Sequence, residues 1–275
     1  MKGKTLYVSD LDGTLLRSDE RTSAYTNETI NALCARGMLF SYATARSYST
    51  ASRVTKGLSA QIPLIVYNGA FTVDNATGKI LLKTCFDQAQ ARGMIRELLE
   101  KDIYPIVYAI IGGEEKFTYV ADKQTPGAKV FTDSRRGDRR DRPVADAQRL
   151  FDGEIFYITC VDEPEKLEPF DARWRGEHHC VYQRDIYSGA QWLEIMPRDA
   201  SKSRAIARLK EHLGCARVVA FGDGKNDIDM FELADESYAV ENAAPELKAA
   251  ATGIIARNDE DGVAKWLAKH VRPEE

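Results

Sequence analysis

The sequence predicts an α/β protein with a parallel-sheet core and an inserted α+β module. Three observations carry this. Short apolar runs at 6–8, 39–43 and 64–67 each end abruptly in polar residues, and a helical pattern follows the first two. Past Lys83 the alternation gives way to strand-rich sequence, and near Ser201 the strand–loop–helix order resumes. The chain of 275 residues, 44% of them hydrophobic, has the length for one large or two ordinary domains and enough apolar content to bury a core.

The first run is too short for a helix and reads as a buried strand that delivers Asp10 and Asp12 to its C-terminal edge. Residues two apart in an extended chain face the same way, so both carboxylates can address one reacting group. Gly13 then lets the chain turn sharply. Ile30 and Leu33 mark a helix over 26–36 that Gly37 stops. The strand at 39–43 leads through Thr44-Ala45-Arg46 to a helix over 47–58, and the strand at 64–67 ends in Asn68-Gly69-Ala70. Such alternation implies a Rossmann-like parallel sheet with helices on both faces.

The middle of the chain follows another pattern. Met94, Ile95, Leu98 and Leu99 line one side of a helix over 88–101, and the segments 104–111 and 116–120 around Gly112-Gly113 read as a hairpin. Further strands are expected at 154–161, 179–187 and 191–195, with a short helix after Pro164. The stretch 127–142 mixes Arg135, Arg136, Arg139, Arg140 and Arg142 with Asp133, Asp138 and Asp141. Runs of mixed sign are as a rule solvated loops, and the functional alternative is a basic lip over an anionic substrate. The domains are therefore read as a core over 1–83 and 190–275 and an inserted cap over 84–189.

From Ser201 the first pattern returns. Ile206, Leu209 and Leu213 form the apolar face of a helix that Gly214 stops, and the strand at 217–221 runs into Gly222-Asp223-Gly224-Lys225-Asn226-Asp227. A helix with Ile228 and Phe231, strands at 238–240 and 253–255, and helices around Leu247 and Trp266 complete the core.

A net charge of −4 gives no global attraction to nucleic acid or an anionic membrane. The acids at 10 and 12 break the N-terminal apolar run, which is neither a signal peptide nor a membrane span, so a cytoplasmic location is expected. The five cysteines are scattered and never paired as C-x-x-C, as reduced, buried thiols would be.

In a parallel sheet the clusters at Asp10 and Asp12, Thr44, Asn68, Lys202 and Asp223 to Asp227 share one rim. In this order they resemble the four signature motifs of haloacid dehalogenase-like phosphatases. The match is closer to the Cof-type sugar-phosphatase branch, which carries an α/β cap between its second and third motifs. Tyr67-Asn68-Gly69-Ala70 and Leu193-Glu194-Ile195-Met196-Pro197 also look like that branch. Two positions depart from it: Ala45 and Ser203 stand where the branch usually has glycine, which is expected to narrow the phosphate's space or change its backbone donors.

The resemblance implies a Mg²⁺-dependent phosphatase acting on a small phosphorylated metabolite, a sugar phosphate by preference. Asp10 is the expected nucleophile, forming an aspartyl phosphate, a route suited to esters that are very slow to hydrolyse unaided. Asp10, Asp12 through its backbone carbonyl, and Asp223 are the expected Mg²⁺ ligands, with Asp227 beside the metal or orienting Lys202 and capping the next helix. Asp12 would protonate the leaving oxygen and then take a proton from the attacking water. Lys202 and Thr44 would donate to the phosphoryl oxygens and Asn226 to the phosphate. The phosphate- and substrate-binding set is Leu11, Thr44, Ala45, Arg46, Asn68, Lys202 and Asn226. For Arg46 a surface salt bridge is the alternative, and for Asn242, another point of resemblance, a local turn. The cap loops, with the segment near Asp185 to Gly189, would set specificity. A phosphomutase or phosphotransferase, in which a second hydroxyl intercepts the aspartyl phosphate, is the enzyme alternative. A signalling receiver or a silent sugar-phosphate binder is the non-enzymatic one.

Overall fold

The computed structural model describes residues 3–59, 62–184 and 189–271. The chain opens with β1 (Thr5–Ser9), α1 (Ala24–Cys34), β2 (Leu39–Tyr42), α2 (Tyr48–Val54), β3 (Leu64–Val66), β4 (Phe71–Val73) and β5 (Ile80–Lys83). Next come α3 (Gln88–Glu100), β6 (Ile106–Ile111), β7 (Glu114–Val120), α4 (Pro126–Asp133), β8 (Asp141–Val144), β9 (Glu154–Asp162), α5 (Pro164–Trp174), β10 (His179–Arg184) and β11 (Gln191–Met196). It closes with α6 (Lys202–His212), β12 (Arg217–Gly222), α7 (Ile228–Leu233), β13 (Glu236–Val240), α8 (Pro245–Ala250), β14 (Gly253–Ile255) and α9 (Gly262–His270). Two compact units result, Met1–Lys83 with Ser201–Glu275, and Thr84–Ala200.

The first unit is built on a five-stranded parallel sheet in the order β14-β13-β12-β1-β2. β1 lies inside it, with Leu6 and Val8 fully buried, so its C-terminal end and that of β12 are neighbours. Serine side chains start the helices that follow the strands: Ser23 accepts from Thr26 N–H, Ser47 from Thr50 N–H and Ser201 from Arg204 N–H.

The third expected strand behaves differently. β3 meets the parallel sheet only through a bridge between Ala43 and Ile65, and its ladder is the antiparallel one with β4 and then β5. Tyr67, Asn68 and Gly69 have φ of 51°, 50° and 97°, and this left-handed run turns the chain back on itself. Gly69 is required there twice over, since a Cβ would lie 2.2 Å from the Ser201 carbonyl oxygen at the start of α6.

The second unit has a six-stranded sheet in the order β10-β11-β9-β6-β7-β8, antiparallel except for β7 with β8. Met94, Ile95 and Leu98 of α3 and Leu167 and Trp174 of α5 pack on Val107, Ile158, Leu193 and Ile195 of the sheet. Gly112 and Gly113, with φ of 60° and 85°, make the two-residue hairpin turn between β6 and β7.

Two expectations need correction. The segment 190–200, assigned to the core from sequence, carries β11, which pairs with both β9 and β10; the core resumes at Ser201. The stretch 127–142 is not one solvated loop. Thr125 caps α4 by accepting from Ala128 N–H, Pro126 occupies the first turn, and β8 starts at Asp141. Three of its five arginines are ion-paired: Arg140, 4% exposed, donates to Asp138 and Glu115, Arg142 to Asp152 and Arg136 to Asp133. With these three charges matched, that part of the stretch is not a free basic lip.

His178 packs edge-on against Phe86, and burial lowers its pKa, as a core histidine requires. All five cysteines are free thiols. Residues 185–188 of the expected specificity segment lie outside the described residues. Among the described residues no helix is long and apolar enough to cross a membrane.

Candidate active site

The site is built from the turn after β1, the start of α6 and the loop after β12. Asp10 continues β1 by donating its N–H to the Phe221 carbonyl at 2.9 Å. The next five residues form one wide turn, non-helical at Asp12 and Gly13 and closed by Leu16 N–H on the Leu11 carbonyl. Gly13 sits in it at φ 74°, and a Cβ there would lie 2.4 Å from Asp223 Oδ2, so glycine is what lets the two loops approach. Thr14 Oγ1 donates to Asp223 Oδ1 at 2.9 Å.

Lys202 enters from the first turn of α6 and is 1% exposed. Its ammonium donates to Asp10 Oδ1 at 2.5 Å and to Asp227 Oδ1 at 2.7 Å. Asp227 Oδ2 accepts from the Asp223 and Gly224 N–H groups, both at 3.1 Å. Asp227 thus orients Lys202 and closes its own loop, and no side-chain bond caps α7, contrary to the capping role expected for it.

Carboxylate oxygens of Asp10, Asp223 and Asp227 lie within 4.8 Å of one another. Burial pushes Asp10 well above the ordinary carboxylate range; Lys202 opposes the rise, and Asp227, Asp223 and Asp12 add to it. Burial and then Asp227 lift Asp223 to about 6, against the Thr14 hydrogen bond and Lys202. Burial disfavours the Lys202 ammonium, but Asp10 and Asp227 outweigh it and hold its pKa above the usual lysine value. Three carboxylates thus share one ammonium, a donor set of hard oxygens short of positive charge, which fits a small divalent cation.

Asp12 does not join this cluster. Its side chain, half exposed, faces Arg46, whose Nε reaches Asp12 Oδ1 at 3.0 Å and Oδ2 at 2.8 Å and whose NH2 reaches Oδ1 at 2.5 Å. The same NH2 donates to Glu20 Oε2 at 2.8 Å. Burial disfavours the charged guanidinium, and Asp12 and Glu20 more than restore it. Arg46 thus makes the salt bridges that were its alternative reading.

Thr44 is fully buried; its Oγ1 accepts from Arg46 N–H at 3.1 Å and its carbonyl from Asn68 N–H at 2.9 Å. The bond network of the described residues thus ties Asn68, Thr44, Arg46 and Asp12 in one chain and Asp10, Lys202, Asp227 and Asp223 in another. Leu11 is buried, Ala45 exposed and Asn226 half-buried in the turn before α7. Asn242 makes no purely local turn: its Nδ2 donates to the Gly13 carbonyl at 2.7 Å and its Oδ1 accepts from Asn258 N–H at 3.0 Å.

Ser203, one of the two departures from glycine, turns its hydroxyl and its N–H onto Asp229 Oδ2, at 2.8 and 3.3 Å. Sequence reasoning assigned no role to Thr14, Glu20 or Asp229. Thr14 follows Asp12 by two residues and could have been found from that spacing, whereas nothing local marks the others.

The model of the haloacid dehalogenase-like hydrolases matches residues 7–267. The chain is 30% identical to 5-amino-6-(5-phospho-D-ribitylamino)uracil phosphatase YwtE of Bacillus subtilis, over 94% of this chain and 95% of that one. Its fold is similar to that of TM0651 from Thermotoga maritima, with a TM-score of 0.80, 22% identity and coverage of 100% and 99% of the two chains. It is also similar to that of the subclass IIB sugar phosphatase BT4131, with a TM-score of 0.74, 21% identity and coverage of 97% and 98%. The chain belongs to the haloacid dehalogenase-like hydrolase family. The resemblance read from its motifs is thereby met.

Proposed function

We propose that this phosphatase of the haloacid dehalogenase-like superfamily is Mg²⁺-dependent and hydrolyses a small phosphorylated metabolite through an aspartyl phosphate on Asp10. The observation that carries the reading is the Lys202 ammonium bridging Asp10 and Asp227 inside a three-carboxylate cluster. The name of the relative YwtE points to a phosphorylated polyol chain, and that of BT4131 to a sugar phosphate, as the first esters to test. The free state of all five cysteines suits a reducing, cytoplasmic setting.

Asp10, Asp223 and the Asp12 carbonyl would hold Mg²⁺, with Asp227 at its edge. The ion supplies the positive charge that lets a carboxylate approach a phosphate dianion. An Asp10 oxygen attacks phosphorus, the ester oxygen leaves, and Asp12 gives it a proton. Asp12 next takes a proton from water, whose oxygen attacks phosphorus and frees the Asp10 carboxylate and inorganic phosphate. Lys202 keeps Asp10 aimed and offers charge to the phosphoryl oxygens, to which Thr44 adds a neutral donor.

The test is phosphate release from a panel of sugar and polyol phosphates, with and without Mg²⁺, by the native chain and Asp10→Asn. Mg²⁺-dependent release that the substitution abolishes is expected, and an active Asp10→Asn protein overturns the nucleophile. Phosphorylated acceptor in place of free phosphate would select the transferase alternative.

A further inference from the structure

We propose that Glu20 is a positioning residue: it anchors Arg46, and Arg46 orients Asp12. The inference rests on the reading of Asp12 as the acid and base of the reaction.

Asp12 is poorly held by its own turn. Its backbone is non-helical (φ −71°, ψ 121°), it precedes a glycine at φ 74°, and its side chain is 50% exposed. What fixes the carboxylate is the planar fork of Arg46, two nitrogens on its two oxygens. An exposed pair of this kind is weak by itself, because ordering two long side chains costs entropy. Here the arginine is already ordered at both ends.

At the stem, Arg46 N–H is on Thr44 Oγ1. At the head, NH2 is on Glu20 Oε2. The backbone that carries Glu20 is fixed, while its side chain is 49% exposed. It takes a left-handed φ of 57° in a turn closed by Glu20 N–H on the Arg17 carbonyl and Arg17 N–H on the Arg21 carbonyl. That turn is tied down by the Arg17 guanidinium on Asp261 and by Ser18 N–H and Oγ on Asp259. A hydrogen-bonded loop thus presents one carboxylate to NH2 of Arg46, the nitrogen that also reaches Asp12, and holds the fork aimed at Asp12.

The chemistry supplies a readout that general loosening of the fold would not move. A sugar alkoxide is a poor leaving group and departs only as a proton arrives, whereas p-nitrophenolate leaves unaided. Phosphoryl transfer to Asp10 is contained in kcat/KM, so misplacing Asp12 should lower kcat/KM for the sugar ester selectively.

The experiment compares native protein, Glu20→Gln and Glu20→Ala on the fastest sugar phosphate of the panel and on p-nitrophenyl phosphate. Glu20→Gln keeps the size and one acceptor oxygen and loses the charge. For Glu20→Ala we expect kcat/KM to fall roughly tenfold on the sugar ester and less than about twofold on the nitrophenyl ester, with Glu20→Gln between native and Ala. Equal losses on both esters, or no loss, overturn the positioning role while leaving the phosphatase reading intact. If the native protein releases phosphate from neither ester, the phosphatase reading fails and this inference fails with it.

Discussion

Thr14 donates its hydroxyl to Asp223 Oδ1 at 2.9 Å across 209 positions of sequence, joining the turn after β1 to the loop after β12. The other Asp223 oxygen faces the bare Cα of Gly13. The carboxylate is thus aimed by a donor on one side and by the absence of a side chain on the other. Thr14→Val keeps the volume and removes the donor. Mg²⁺ affinity, measured by titration calorimetry, should weaken about tenfold, the usual cost of losing a group that orients a metal ligand. Unchanged affinity would show that Thr14 does not aim Asp223.

Lys202 is the counter-charge of the cluster. Lys202→Met leaves Asp10 and Asp227 buried without it, and breaking a buried ion pair from one side costs about 3–5 kcal/mol. Denaturant titration without Mg²⁺ at neutral pH should show a loss of that order, and phosphate release should disappear. A variant as stable as the native chain would contradict the electrostatic account.

Ser203 bonds Asp229 of α7 through both its N–H and its hydroxyl, so its departure from glycine strengthens a contact between α6 and α7. Restoring glycine should destabilise the protein by about 1–2 kcal/mol, from the lost hydrogen bond and the freer backbone. Because the hydroxyl is spent on Asp229, kcat/KM should change by less than about twofold, as is usual for substitutions outside the reacting groups. A broad change in substrate preference would instead place Ser203 in specificity.

In the second unit, Glu194 accepts from the Tyr157 hydroxyl at 2.8 Å, and burial lifts its pKa to about 7, with the tyrosine bond pulling the other way. A carboxyl whose folded pKa lies above the unfolded one makes the fold less stable as pH rises between the two values, because the folded state holds the extra proton. Glu194→Gln retains an acceptor for Tyr157 and cannot ionise. Thermal denaturation should find it more stable than the native chain at pH 8, by about 1–2 kcal/mol, with the advantage shrinking toward pH 5. An advantage independent of pH would refute ionisation as its cause.

The sequence by itself determined the alternation of strands and helices and singled out Asp10, Lys202, Asp223 and Asp227, which the fold gathers. Its signals are local: a short apolar run that ends in acid, an apolar helical face that ends at Gly214, a strand that runs into a glycine-rich acidic loop. Such signals lie within a few residues of the groups they place. What no local pattern carried was the choice of partners. Asp12 precedes Gly13 in a motif whose chemistry is legible, yet only the folded chain brings Arg46 to it and Glu20 to Arg46. Arg140 sits among five arginines of similar local setting, and only packing decides that it is the one buried between Glu115 and Asp138. β11 has the alternation of any half-buried strand, and its place between β9 and β10 follows from which ladder lay open to it. Periodicity and capping act over one or two turns of chain and can be read in one dimension. Ion pairing and strand pairing select among many equivalent candidates by distance, and distance exists only once the chain has folded.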